Sequence, residues 1–368
     1  MNKVNTFQLK IIRNTLFFST LLFSLLSFNA CQKEEKLEPN EDAGLLQTPN
    51  YDGSGLTGGR NGSGSGGSGG GGAIGNAAWT SIADFPGMAR SAGSSFTLNG
   101  KGYVGLGEDY PDFYKDFYAY DPISNAWAQI ADFPAGGRRE ALTFVIEGHA
   151  YVGLGYGEEN GGGFDELSDL WKYSDSTNSW TQVASFPSFY TEGVSVFVHN
   201  KKAYILTGSD KVFEYNPSNY TWTELGLFPG ETRSDGISFT LNGIGYTATG
   251  YDDGDLARLG DCWKYNISSD SWTKLDSFPG EVRNNAVGFA LDGMGVMVGG
   301  DGFITSKNDT WIYNPQSDQW TQTSNYPEKG LGGGVGFVIG NTAYVGTGYV
   351  PDNFLGDVSK KFYSLSIN

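Results

Sequence analysis

The sequence predicts an all-β fold in which one unit recurs six times, and three regularities predict it. Six times a Trp is followed seven residues later by a Pro: Trp79/Pro86, Trp127/Pro134, Trp180/Pro187, Trp222/Pro229, Trp272/Pro279 and Trp320/Pro327. Seventeen residues past each Pro stand Tyr103, Tyr151, Tyr204, Tyr246, Val296 and Tyr344, and four further on come Gly107, Gly155, Gly208, Gly250, Gly300 and Gly348. Five units then place a Tyr seven residues before the next Trp: Tyr120, Tyr173, Tyr215, Tyr265 and Tyr313. A period of this length marks an array of supersecondary units. Within it the apolar residues alternate as in strands, with no helical period.

The chain opens on an address rather than a fold. Residues 1–30 carry Lys3, Lys10 and Arg13 and no acid, followed by a short apolar run from Leu16 to Phe28. That run is too short to span a membrane and reads as a secretory signal. Ala30-Cys31 resembles a lipoprotein processing site, with Cys31 the lipidated residue, although Phe28 and Asn29 depart from the stricter form. Gln32-Lys33-Glu34-Glu35 resembles the Lys-acid-acid signal that sends lipoproteins of Bacteroidetes-type bacteria to the cell surface. Residues 31–77 then form a tether. Glycine fills thirteen of the twenty-three positions from 53 to 75. Such a chain is a flexible coil spanning roughly 40 Å.

Residues 78–368 hold the repeats. Ser94–Leu98 alternates and ends at Asn99-Gly100, a two-residue hairpin signal. Gly102–Gly107 reads as the second strand, Asp116–Tyr120 as the third and Trp127–Ile130 as the fourth. The second unit repeats this order with Leu142–Ile146, Ala150–Gly155, Leu170–Tyr173 and Trp180–Val183. Four antiparallel strands at this period make one propeller blade. First-and-second-strand hairpins occur six times, so six blades are expected. The last unit lacks a Trp strand and Trp79–Ile82 lacks a hairpin before it. The N-terminal strand should therefore pair into the last blade beside Phe362–Ile367, which removes two exposed edges. Trp-to-Trp spacings of 48, 53, 42, 50 and 48 vary only between the Gly and the following Tyr, so every length change falls in one loop per unit. Such loops on a fixed scaffold are where recognition usually lives.

The hydrophobic strand, Asn/Asp-Gly turn, Tyr-x-x-x-Gly, Asp-x-Trp-x-Tyr, Trp and Phe-Pro-x-x-x-Arg together resemble the Kelch repeat from 79 to about 367. The departure is the paired glycine that usually ends the second strand, kept only as Gly299-Gly300. The resemblance implies a six-bladed Kelch β-propeller of the galactose oxidase-like superfamily.

Composition narrows the partners. The net charge of −17 argues against nucleic acid, which needs a basic footprint. Cys31 and Cys262 are the only cysteines, so a lipidated Cys31 leaves Cys262 without a disulfide partner, most simply a small buried hydrophobe. The copper of galactose oxidase needs two His and two Tyr. Here His149 and His199 are the only histidines, and both sit at first-to-second-strand hairpins, away from the variable loops. Oxidase chemistry is not expected, nor any metal or cofactor. Asp252, Asp253 and Asp255 do not match an EF-hand loop.

The candidate binding face follows from the connections between units. Arg90, Arg138, Arg233 and Arg283 stand four residues after their Pro, while Thr191 and Leu331 break the series. Two residues on come Ala92, Glu140, Gly193, Asp235, Asn285 and Gly333. With Arg139, and with Glu108, Tyr110, Glu158 and Asp252 from the variable loops, these offer charge and hydroxyl recognition. The competing reading is that the arginines bond backbone carbonyls and line the channel. The expected function is a surface binding module for a glycan or protein. The alternative, implied by the six-bladed Kelch sialic acid mutarotases, is a sugar-modifying enzyme using Arg, Glu140 or Asp235 for acid–base work.

Overall fold

The computed structural model describes residues 77–158, 163–189, 191–351 and 357–367. The leader, Cys31 and the tether lie outside the described residues. Six four-stranded antiparallel sheets make up the fold. The first runs Ser94–Leu98, Lys101–Gly105, Phe117–Asp121 and Ala126–Gln129. Sheets two to five repeat this order, starting at Leu142, Ser195, Ile237 and Val287. The sixth takes Val335–Ile339, Thr342–Gly346 and Phe362–Ile367 and adds the N-terminal strand Ala77–Ser81, with Trp79 opposite Leu365. The innermost strands touch one another in chain order, and the sixth touches the first. One 3-10 turn, Ile267–Ser269, interrupts the strands among the described residues.

Burial falls from the inner strand to the outer one. The first strand alternates, the second is buried on both faces, and the fourth is largely exposed. Aromatic residues fill the wedges between sheets. Tyr103, Tyr151, Tyr204 and Tyr246 in second strands each meet the third-strand tyrosine of the next sheet, Tyr173, Tyr215, Tyr265 and Tyr313. Tyr344 meets Tyr120 of the first sheet in the same way. The two places where the sequence breaks this pattern belong together. Val296 replaces the tyrosine of the fifth sheet and Leu365 that of the sixth, and both lie in one apolar cluster. The register of the last strand, ambiguous from Lys360-Lys361, is set by this match: Leu365 takes the place opposite Trp79 that Tyr173 takes opposite Trp180.

The Kelch-like departure at the second-strand end also has a physical account. Leu106, Leu154, Thr249 and Thr347 occupy the first of the paired positions in left-handed conformation, at φ 55°, 59°, 61° and 53°. The second position stays Gly because the connecting backbone passes against it: a Cβ on Gly155 would stand 2.4 Å from the Arg139 carbonyl. The chain thus accepts left-handed strain where there is room for a side chain and keeps glycine where there is none.

Candidate functional site

The arginines of the inter-sheet connections are committed elsewhere. Arg90, Arg138, Arg233 and Arg283 are fully buried. Their guanidiniums pair with Asp116, Asp169, Asp261 and Asp309, the Asp of Asp-x-Trp or its equivalent. Each also donates to the carbonyl of the left-handed residue in its own sheet: Leu106, Leu154, Thr249 and Gly299. Each lies over the Phe of Phe-Pro, 4.7 to 5.0 Å from the ring centroid of Phe85, Phe133, Phe228 or Phe278. The chain itself shows that the pair is one device. Where Arg is replaced by Thr191 or Leu331, the Asp is replaced too, by Lys211 and Lys361. These four arginines hold the turns and are not available to a ligand, which corrects their expected place on the binding face.

A different layer forms the mouth of the axial cavity. Ala92, Glu140, Gly193, Asp235, Asn285 and Gly333 all adopt left-handed backbone, with φ between 50° and 63°. Five hydrogen bonds link them around the axis, each N–H donating to the carbonyl of the preceding sheet: Ala92 to Gly333, Glu140 to Ala92, Asp235 to Gly193, Asn285 to Asp235 and Gly333 to Asn285. They wall a cavity of about 160 Å³ together with the residue that follows each. Glu140, Asp235 and Asn285 are the members of this layer with polar side chains.

Arg139, next to the buried Arg138, is the cation of the mouth. Its Nε and Nη2 donate to Glu192 Oε1 at 2.9 and 2.6 Å, and its Nη1 donates to Glu108 Oε1 at 3.0 Å. Its guanidinium lies 5.1 Å from the Tyr156 ring centroid. Burial opposes its charge, but Glu140, Glu192 and Glu108 outweigh burial and hold it protonated. Burial, then Asp235 and Glu192, push the Glu140 carboxyl well up. Burial and then Glu192 push Asp235 up to about 7. Oε2 of Glu108 is buried without a hydrogen-bond partner. The mouth therefore holds two raised carboxyls, Glu140 and Asp235, the second with its midpoint near neutral pH, in reach of a concave site. Those are the elements that both polar recognition and general acid–base chemistry require.

Sequence reasoning placed Arg139, Glu140, Asp235, Asn285 and Glu108 on this face, and the structure brings them to one end of the cavity. It missed Glu192, which stands one residue past the Arg position in the third unit, the place that Arg139 holds in the second. Asn284 and Asp301 were also missed; Asn285 Nδ2 donates to Asp301 Oδ2 at 3.0 Å, and Arg258 Nε to Asn284 Oδ1 at 3.0 Å. The period offered a signal, because in the five other units the residue after the Arg position is bridged to its sheet's variable hairpin, as Ser91 is to Glu108 and Arg139 to Tyr156.

Other candidates lie apart. Tyr110 is an exposed hairpin tip. Glu158 borders a separate cavity beside Arg138 and Trp171. Asp252 is buried and accepts from Thr232 Oγ1 and Gly254 N, each at 2.9 Å. Its carboxylate comes within 4.8 Å of those of Glu231 and Asp255, a group that does not include Asp253. His149 Nδ1 donates to the Glu147 carbonyl, and His199 lies under the Gly243 turn, both at the far hairpins. Cys262 is buried, and burial pushes its thiol up to about 12.

No family model matches the chain, and no curated protein matches it. Among solved structures, one titled "Structure of YjhT" aligns over 76% of this chain and 95% of that chain, at 18% identity and a TM-score of 0.67. The fold is propeller-like. At this identity the likeness concerns the backbone arrangement alone, and the mouth must be read from its own residues.

Proposed function

We propose that this chain is a six-bladed Kelch β-propeller, closed by the Trp79 strand, that binds a carbohydrate at its axial mouth. The observation that carries the reading is the convergence of Arg139, Glu140, Glu192 and Asp235 around one concave site. A pocket with a few converging polar groups is the default place for a polar ligand. Exposed aromatics on the variable hairpins, Tyr110, Phe164 and Phe303, suit sugar faces as well, although they lie outside the cavity lining. Cys31 would carry lipid after removal of residues 1–30, and the tether would hold the module outside the outer membrane. Among the described residues no helix is long and apolar enough to cross a membrane. Cys31→Ser should move the protein from the membrane fraction to the soluble one, and protease treatment of intact cells tests the outward placement.

A second reading has its own support. The Asp235 carboxyl, pushed up to about 7, can exchange a proton near neutral pH beside the raised carboxyl of Glu140, the property that sugar ring opening asks of an acid and a base. A glycan array followed by an NMR anomer-exchange assay on the full chain separates the two. Binding without exchange supports the module, exchange faster than solvent supports the enzyme, and neither result would leave the carbohydrate reading standing on nothing.

A further inference from the structure

Resting on that carbohydrate reading, we infer that the mouth selects sugars bearing a free ammonium group over neutral sugars, and rejects sugar acids. Three observations lead there. First, Arg139, the cation beside Glu140, already has carboxylate partners. Three donors of Arg139 go to Glu192 and Glu108, and its face lies on Tyr156. A sugar carboxylate approaching it would meet the charges of Glu192 and Glu108, which already hold three of its five donors. Second, the four arginines that a ring of basic residues might suggest are sealed in pairs with Asp116, Asp169, Asp261 and Asp309. Third, carboxyls dominate what remains: Glu108 Oε2 is buried without a donor, and Glu140 and Asp235, which share protons with each other and with Glu192, line the cavity and can give those protons up to an arriving cation. An ammonium is a compact cation with three donors and no acceptor, and it matches such a set in both charge and hydrogen bonding. An anion would meet the repulsion that already drives protons onto this cluster.

The contact between Asp235 and Gly193 suggests where that group would sit. A Cβ on Gly193 would stand 2.2 Å from Asp235 Oδ1, so the absence of a side chain there is what lets the Asp235 carboxylate lie across the neighbouring connection toward Glu140 and Glu192. The ammonium is therefore expected between Asp235 and Glu192, with the sugar ring outside, toward Tyr156 and the variable hairpins.

Titration calorimetry of the full chain at neutral pH and low salt, with glucosamine, N-acetylglucosamine and glucuronate, tests this. Glucosamine should bind at least about tenfold more tightly than N-acetylglucosamine, a difference of ~1.4 kcal/mol. The preference should shrink as salt is added, and glucuronate should bind weakest. Glu192→Gln should reduce the preference to about twofold or less, the interaction of a single exposed charge. Its melting temperature is recorded alongside, and Glu108→Gln is the second variant if Glu192→Gln unfolds. Equal binding of the amino and neutral sugars, or tighter binding of glucuronate, overturns the ammonium inference and leaves the carbohydrate reading intact. Binding of lysinamide but of none of the sugars keeps the ammonium and overturns the carbohydrate. No binding by any probe overturns both.

Discussion

Arg138 and Arg139 are adjacent, yet one is scaffold and the other faces the cavity. Arg138→Ala removes a buried guanidinium and leaves Asp169 with only Trp171 Nε1, so it should cost about 3 kcal/mol in denaturant unfolding. Arg138→Leu combined with Asp169→Lys copies the Leu331/Lys361 combination of the sixth sheet and should cost less than Arg138→Leu alone. Asp235 yields the opposite kind of prediction. Its carboxyl is raised to about 7 in the folded chain, so the folded state holds the proton that the unfolded state releases near 4. Its contribution to stability is complete below that lower value and is lost as pH rises toward 7. Asp235→Asn should flatten the fall in melting temperature across this window and raise the melting temperature above it. The sequence made Arg138 and Arg139 equally attractive. What separates them is the distance to the Asp partner, 26, 31, 28 and 26 residues across a loop of changing length, which hides the pairing from any fixed-spacing argument.

Strands and turns were more legible, because the period-2 alternation and the Asn-Gly hairpins are local. Where one unit departs, the structure shows what the departure costs. Tyr120, Tyr173, Tyr265 and Tyr313 donate their hydroxyls to Asn125, Asn178, Asp270 and Asp318, five residues on. Those side chains also accept an N–H from the neighbouring sheet, as Asn178 does from Ala131. In the third sheet Tyr220 stands at that place, and the Tyr215 hydroxyl is buried without a partner. Tyr220→Asn should restore the acceptor and stabilise the chain by about 1 kcal/mol, read as a higher denaturation midpoint. Gly155 is the reverse case. It sits at φ 81° with the Arg139 carbonyl against it, so Gly155→Ala should destabilise by at least the left-handed penalty of ~1–2 kcal/mol. A midpoint unchanged by that substitution would show that the connection can move aside. Neither the unpaired tyrosine nor the crowded glycine was readable in advance, because each depends on the sheet next door.

At the scale of the whole molecule, the last and first strands meet. Ala77–Ser81 supplies the outer strand of the sixth sheet, with Trp79 packed edge-on against Tyr326 at 5.3 Å. Deleting everything before Asp84 should expose the edge of Phe362–Ile367 and lower the melting temperature markedly; an unchanged one would make the strand dispensable. The six-fold order was visible from the Trp and Pro spacings. The mouth was visible only in part, because its charges come from positions that differ in every unit. Two series of backbone hydrogen bonds pass around the axis there, each of five links. One links the left-handed residues, each N–H pointing to the preceding sheet. The other runs the opposite way, from Gly107 to the Arg138 carbonyl, Gly155 to Thr191, Gly250 to Arg283, Gly300 to Leu331 and Gly348 to Arg90. Peptide dipoles that follow one another around a circle cancel along its axis, whereas in a helix they add end to end. The two series point in opposing senses around the opening, so its charge comes chiefly from a few side chains set on them, Arg139, Glu140, Glu192 and Asp235.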